Sequence, residues 1–197
     1  MSRSRSYDED VTLTRAMHAF RRDGYARVSV PQLVAATGLS SGSIYNSFGD
    51  KHGLFLAAFD HYLHAVLERR IATFAQPESG LSGLRRLFLT LLQEPEGETF
   101  GCLITNSAVE FGADLEVADS MVLRGFGILE RLFADRLAAA IAAGQLSKRL
   151  DPEVGAVRLL ALYQGVLVLV RGGHDLKAIG RAINQEFDHL EGGSHVG

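Results

Sequence analysis

GLSSGSIYNSFGDK, residues 38–51, admits two readings that lead to different folds. Its first five residues match the G-x-S-x-G pattern of a hydrolase nucleophile elbow, while the whole stretch fits the turn and second helix of a helix-turn-helix. An elbow needs a buried strand ahead of its serine, because the sharp strand-to-helix turn lifts the hydroxyl at the end of a sheet. What precedes Ser40 is instead Gln32-Leu33-Val34-Ala35-Ala36-Thr37, an amphipathic helical turn introduced by Ser29-Val30-Pro31-Gln32. That tetrad reads as a capping box: Ser29 accepts an amide hydrogen bond, Gln32 returns one, and Pro31 is tolerated in the first turn. Gly38 supplies the left-handed conformation that ends such a helix sharply. In a chain with 21 glycines a chance match to a short glycine pattern carries little weight, so a serine hydrolase using Ser40 is kept only as an alternative.

Past the turn, Ser40 reads as the N-cap of a helix over 41–48. Ile44 and Phe48, four residues apart, anchor its inner face, which leaves Ser41, Ser43, Asn46 and Ser47 outward. Serine at a helix start can bond phosphate oxygens or base edges, asparagine can contact adenine through two bonds, and Gly42 permits close approach in a major groove. Tyr45 and Lys51 suit the phosphate backbone, as a hydroxyl donor and a point charge. The candidate DNA-binding residues are therefore Ser41, Gly42, Ser43, Tyr45, Asn46 and Lys51.

Outward from this motif, apolar residues recur at helical spacing and no segment shows sustained strand alternation. An all-α chain is predicted, with helices over about 8–23, 81–94, 103–111, 116–143, 152–171 and 176–190 besides those of the motif. A long helix capped by Asp50 carries Phe55, Phe59, Tyr62 and Val66 and stops at Pro77 and Gly80. Asp151 ahead of Pro152, and Asp175, read as further N-caps. The expected organisation is a DNA-binding head over 1–52, an effector-binding and dimerisation body over 53–190, and a glycine-rich disordered tail over 191–197.

Composition agrees with a folded soluble chain: of 197 residues, 47% are apolar and 22% charged. The net charge of −3 hides an asymmetry, since residues 1–52 carry seven Lys/Arg against five acids. No secretory signal follows the N-terminal arginines, and the apolar run 159–170 is short and interrupted for a bilayer, so a cytoplasmic location without membrane insertion is expected. A single cysteine, Cys102, excludes an intrachain disulfide and a cysteine-based zinc cage. His52, His61 and His64 lack the partners a metal site needs, so neither metal nor cofactor is expected.

Together, Ala16-Met17-His18-Ala19-Phe20, Gly24-Tyr25, Ser29-Val30, Leu33-Val34, Gly38-Leu39-Ser40, Gly42-Ser43-Ile44-Tyr45, Phe48, Lys51 and Leu54-Phe55 resemble the DNA-binding domain of tetracycline-repressor (TetR) family regulators. Ser47 stands where many members have histidine, and Gly49 where proline is common. The resemblance implies an all-helical subunit with an N-terminal three-helix domain, dimerised through its last two helices, with an inducer pocket in the C-terminal body. It also implies a palindromic double-stranded operator.

In the body, the stripe Leu176, Ile179, Ile183, Phe187 and Leu190 calls for a cover, for which a second subunit is the expected source. Phe88, Phe100, Phe111, Phe126, Phe133 and Tyr163 are candidates for a cavity lining, with Asn106 and Gln164 as orienting hydrogen bonders. Cys102 stands at a predicted helix start, where amides favour a thiolate, and Gly101-Cys102-Leu103 resembles a TetR branch of cysteine-based electrophile sensors. The candidate effector residues are thus Cys102, Asn106, Tyr163 and Gln164, for a small molecule or an electrophile. The sequence predicts a ligand-responsive regulator, most simply a repressor and not an enzyme; a helical adaptor binding only protein is the other alternative.

Overall fold

Ser29 Oγ accepts from the Gln32 amide while Gln32 Oε1 accepts from the Ser29 amide at 2.8 Å, so both halves of the capping box form. The computed structural model in which they are seen describes residues 7–93, 101–112 and 116–192. Single side chains cap the starts of all four of the first helices. Asp8 opens α1 (Glu9–Asp23), Ser29 opens α2 (Val30–Thr37), Ser40 opens α3 (Ser41–Phe48) and Asp50 opens α4 (Lys51–Tyr62). After α4 the chain makes a π-helical turn, Leu63–Glu68, and then α5 (Arg69–Phe74).

A short 3₁₀ turn at Pro77–Ser79 leads to α6 (Gly80–Leu89), which closes in a second 3₁₀ turn, Thr90–Leu92. The remaining helices are α7 (Leu103–Phe111), α8 (Glu116–Ala142), α9 (Pro152–Arg171) and α10 (Leu176–Gly192). No strand occurs among the described residues. Phe100 and most of the predicted tail lie outside them; Glu191 and Gly192, expected in that tail, belong to α10.

Contacts divide the chain into two compact units, one ending at Glu68 but including Cys102–Val122, the other formed by Arg69–Gly101 and the residues from Leu123 onward. In the first unit, α1 packs on α2 and α4, and α3 packs on α2 and α4. Its interior holds Leu13, Met17, Phe20, Leu33, Ile44 and Phe59. Phe55 lies at its centre, 5.1 Å from the Phe20 ring, 5.7 Å from Phe59 and 5.5 Å from Phe111. In the second unit, α6 packs on α5 and α10, and Phe88 meets Phe133, Tyr163 and Phe187 with ring centroids 5.2–5.6 Å apart.

Local features depart from the sequence prediction in α4, α9 and α10. The long fourth helix is interrupted by the π turn, whose extra residue shifts the buried face, so that Leu63 and Leu67 are buried and Val66 only half so. The helix also ends at Phe74, ahead of Pro77. In α10, the stripe expected to need a partner is largely covered within its own subunit: Ile179, Ile183 and Phe187 are at most 3% exposed. The surplus apolar surface lies on α9, where Val154, Val157, Val168 and Leu169 are 44–58% exposed. By whole length and composition α9 also passes as a helix able to cross a bilayer, which the shorter run 159–170 did not suggest. Its other face, including Ala156, Leu159, Tyr163 and Val166, is packed inside the unit.

Candidate DNA interface and effector residues

Residues 28–49, from the last turn before α2 to the end of α3, contain no charged side chain. Such a surface neither repels phosphate nor binds it by charge alone, so it is suited to close reading of uncharged base edges. The turn between the helices is made by Gly38, at φ 76° and ψ 3°, a left-handed conformation that a Cβ would strain. Thr37 braces it, donating to the Leu33 carbonyl at 2.7 Å and accepting from the Leu39 amide at 3.2 Å. Leu39 and Ile44 then point inward and fix α3 against the core.

That anchoring sets which residues α3 displays. Ser41, Gly42, Tyr45 and Asn46 are exposed and, at 100° a residue, form one face about 140° wide. Tyr45 is 52% exposed, a large aromatic left in solvent at the middle of that face. Ser43 is half-buried, and its hydroxyl pairs with Ser40 Oγ at 2.9 Å. Ser40 accepts from the Ser43 amide at 3.1 Å, so the serine of the G-x-S-x-G pattern is a helix cap preceded by a helix. Lys51, in the first turn of α4, holds its Nζ 4.6 Å from the centroid of the Tyr25 ring, a cation–π contact that limits its wandering.

Tyr25 belongs to the turn between α1 and α2 and was not singled out in the sequence. Its ring stacks among Phe20, Phe55 and Phe111, with His52 edge-on at 5.9 Å. Burial first, then the nearby charges of Asp50 and Glu110, push its hydroxyl above the ordinary tyrosine range. Glu110 of α7 was also missed. Its carboxylate accepts from the Tyr25 amide at 2.8 Å and the Ala26 amide at 2.6 Å.

The four candidate effector residues fall in different units. Cys102 and Asn106 belong to the first, Tyr163 and Gln164 to the second. Cys102 is the N-cap residue of α7, 5% exposed, and its Sγ accepts a hydrogen bond from Tyr62 Oη at 3.2 Å. Asn106 Nδ2 donates to the Arg21 carbonyl at 3.1 Å. Tyr163 is buried in the aromatic cluster around Phe88, and Gln164 beside it on α9 is half-buried. A surface cleft of about 370 Å³ along α8, bordered by Arg124, Glu130, Arg131 and Glu153, includes none of these four. Among the described residues no His, Cys, Asp and Glu side chains group as a metal site would require.

The family described as "Bacterial regulatory proteins, tetR family" matches residues 13–58, which contain the helix-turn-helix. A second description, "Tetracyclin repressor-like, C-terminal domain", matches residues 80–186, more than half of the chain. The HTH-type transcriptional repressor ComR of Escherichia coli (strain K12) is 27% identical over 181 residues, covering 90% of this chain and 86% of its own. The transcriptional regulator AcuR of Cereibacter sphaeroides is 29% identical, over 74% of this chain and 68% of its own. Among solved structures, a cysteine mutant of the TetR family regulator CifR, complexed with a 26 bp double-strand operator DNA, superposes with a TM-score of 0.83. It is 26% identical and covers 96% of this chain and 100% of its own. The chain belongs to the tetR family of bacterial regulatory proteins and is a DNA-binding transcriptional regulator.

Proposed function

We propose that the protein is a cytoplasmic repressor that binds a palindromic operator as a homodimer and is released by a small molecule or by modification of Cys102. The observation that carries this reading is the exposed, uncharged face of α3, held by a turn that only glycine fits easily. Ser41, Gly42 and Asn46 meet base edges, with Ser43 held by its bond to Ser40 at the border of that face; Tyr45 and Lys51 meet phosphates. The apolar face of α9 supplies the second half of the argument, since a two-fold dimer through the last two helices covers it and pairs two α3 helices on one duplex. Repression is carried over from ComR, and operator binding from CifR, as each is described.

Release needs an effector that favours the conformation in which the two α3 helices no longer match the half-sites. Its influence on DNA affinity is limited to the difference in its binding to the two conformations, typically about 1–3 kcal/mol. Cys102 is the proposed sensing group, with Asn106, Tyr163 and Gln164 as candidate effector contacts. Because Cys102 Sγ is bonded to Tyr62, alkylation there breaks a hydrogen bond between α7 and α4.

The expected result uses a duplex recovered by the wild-type protein from a random-sequence library. N-ethylmaleimide adds its mass at Cys102 and lowers affinity for that duplex, whereas Cys102→Ser binds the duplex and ignores the reagent. A full loss of binding by reagent-treated Cys102→Ser would rule out the thiol as the sensing group.

A further inference from the structure

Three side chains at one spacing, Cys102, Asn106 and Glu110, project from one side of α7, and each is bonded to a different part of the first unit. Cys102 meets Tyr62 of α4, Asn106 meets the last turn of α1 at Arg21, and Glu110 meets the α1–α2 turn at Tyr25 and Ala26. The first two sit where buried or half-buried polar groups need partners. The third is different: Glu110 is exposed, and water would solvate its carboxylate without any clamp.

The clamp is nonetheless built from both sides. Two consecutive amides converge on one carboxylate, the charge-assisted arrangement that binds anions in backbone nests. Gly24 makes room for it. At φ 82° that residue favours glycine, and a Cβ there would stand 3.0 Å from Glu110 Oε2. The turn so held carries Tyr25, whose ring is packed 5.3 Å from Phe111 and 5.0 Å from Phe55. On that ring rests the Lys51 ammonium, at 4.6 Å. Neither Glu110 nor Tyr25 lies on α3, yet together they fix the cation next to it.

We propose that Glu110 is a positioning residue for DNA binding: its carboxylate holds the α1–α2 turn so that Tyr25 presents Lys51 to a phosphate. A displacement of α7 at its Cys102 end is thereby transmitted to the DNA surface through Glu110 at the other. The inference rests on the reading of Lys51 as a phosphate-binding residue, and its test separates the two.

The test measures affinity for the library-selected duplex as a function of salt for wild type, Glu110→Gln, Lys51→Gln and the double variant. A glutamine keeps one acceptor but removes the charge and the second amide's partner, and the exposed position makes unfolding no concern; the thermal midpoint verifies this. Glu110→Gln is expected to weaken binding about five- to tenfold and to flatten the slope of log K against log[salt] by about 0.9 for each phosphate no longer neutralised. Lys51→Gln flattens the slope equally, and the double variant is no weaker than Lys51→Gln alone, as expected of residues acting in series. A wild-type slope in Glu110→Gln beside a flattened one in Lys51→Gln overturns the inference while leaving Lys51 on the phosphate. A wild-type slope in Lys51→Gln removes the phosphate reading and the inference with it. Strictly additive losses in the double variant also overturn it, because Glu110 would then act by a route that bypasses Lys51.

Discussion

A protein carrying Val157→Glu and Val168→Glu is expected to sediment as a monomer and to lose about 10²–10⁴-fold in affinity for a duplex with two half-sites. The two valines are 53% and 54% exposed on α9. With Val154, Ala161, Gly165 and Leu169 they fall within a stripe about 120° wide at 100° a residue. Ala161 and Gly165 stand exposed in the middle of that stripe, and a Cβ at Gly165 would meet nothing within 4 Å, so a partner helix can approach closely there. Arg158, whose guanidinium already pairs with Glu186 at 3.2 Å, is the charged side chain of that stripe, so the four carboxylates that the variant brings to a dimer interface there outnumber the cations at hand, and desolvating them opposes association. Linking two half-site readers makes the second binding event intramolecular, which is the source of the predicted loss. Analytical ultracentrifugation reads the first effect and titration of the selected duplex the second. A dimer that persists in the double variant would move the interface elsewhere, and Ala139→Glu, at an exposed position of α8 outside the last two helices, provides the neutral comparison.

Ile44→Ala is expected to destabilise the first unit by about 2–5 kcal/mol and to abolish specific DNA binding at growth temperature. Ile44 is fully buried on the side of α3 opposite Tyr45 and Asn46, and α3 is only eight residues long. A helix of that length has little stability of its own, so its packing decides whether it exists. Asn46→Ala serves as the contrast. Asn46 is exposed, so its removal should leave the thermal midpoint nearly unchanged, within about 0.5 kcal/mol. It should instead relax base preference at one position in each half-site by about 1–3 kcal/mol. Calorimetry and a binding series over single base-pair changes distinguish the two effects. If Ile44→Ala left the midpoint unaltered, α3 would not be held as described.

What could be read in the sequence follows from how local each interaction is. Ser29 with Gln32, Ser40 with Ser43, and Asp50 with Gly53 act across three residues, and each cap stands where its residue type predicted. Gly38 was legible for the same reason, since a left-handed backbone is a property of one residue. The open face of α9 was not. Both α9 and α10 are rich in apolar residues, and which face stays bare depends on α6 and its neighbours covering Ile183 and Phe187 first. The π turn at Leu63–Glu68 likewise answers to packing on both sides of it and leaves no sign in composition.

The candidate site divides in the same way. The exposed face of α3 was readable because Ile44 and Phe48 fix the inner side by their spacing, whereas the bond between Ser43 and Ser40 became visible only with both side chains placed. Glu110 escaped notice because its partners lie 84 and 85 positions away, although it continues the spacing of four begun by Cys102 and Asn106. Tyr25, which the sequence offered only as part of a family pattern, gains its role from the rings and the cation that surround it.

The central claim is that two copies of α3 enter the major groove of one duplex, and guanine N7 methylation interference on the selected duplex tests it most directly. Two patches of interference are predicted, related by two-fold symmetry and with centres about 34–36 Å or a multiple of that apart along one face of the helix. One isolated patch, or no interference at any guanine N7 of a duplex that the protein still binds, would contradict it.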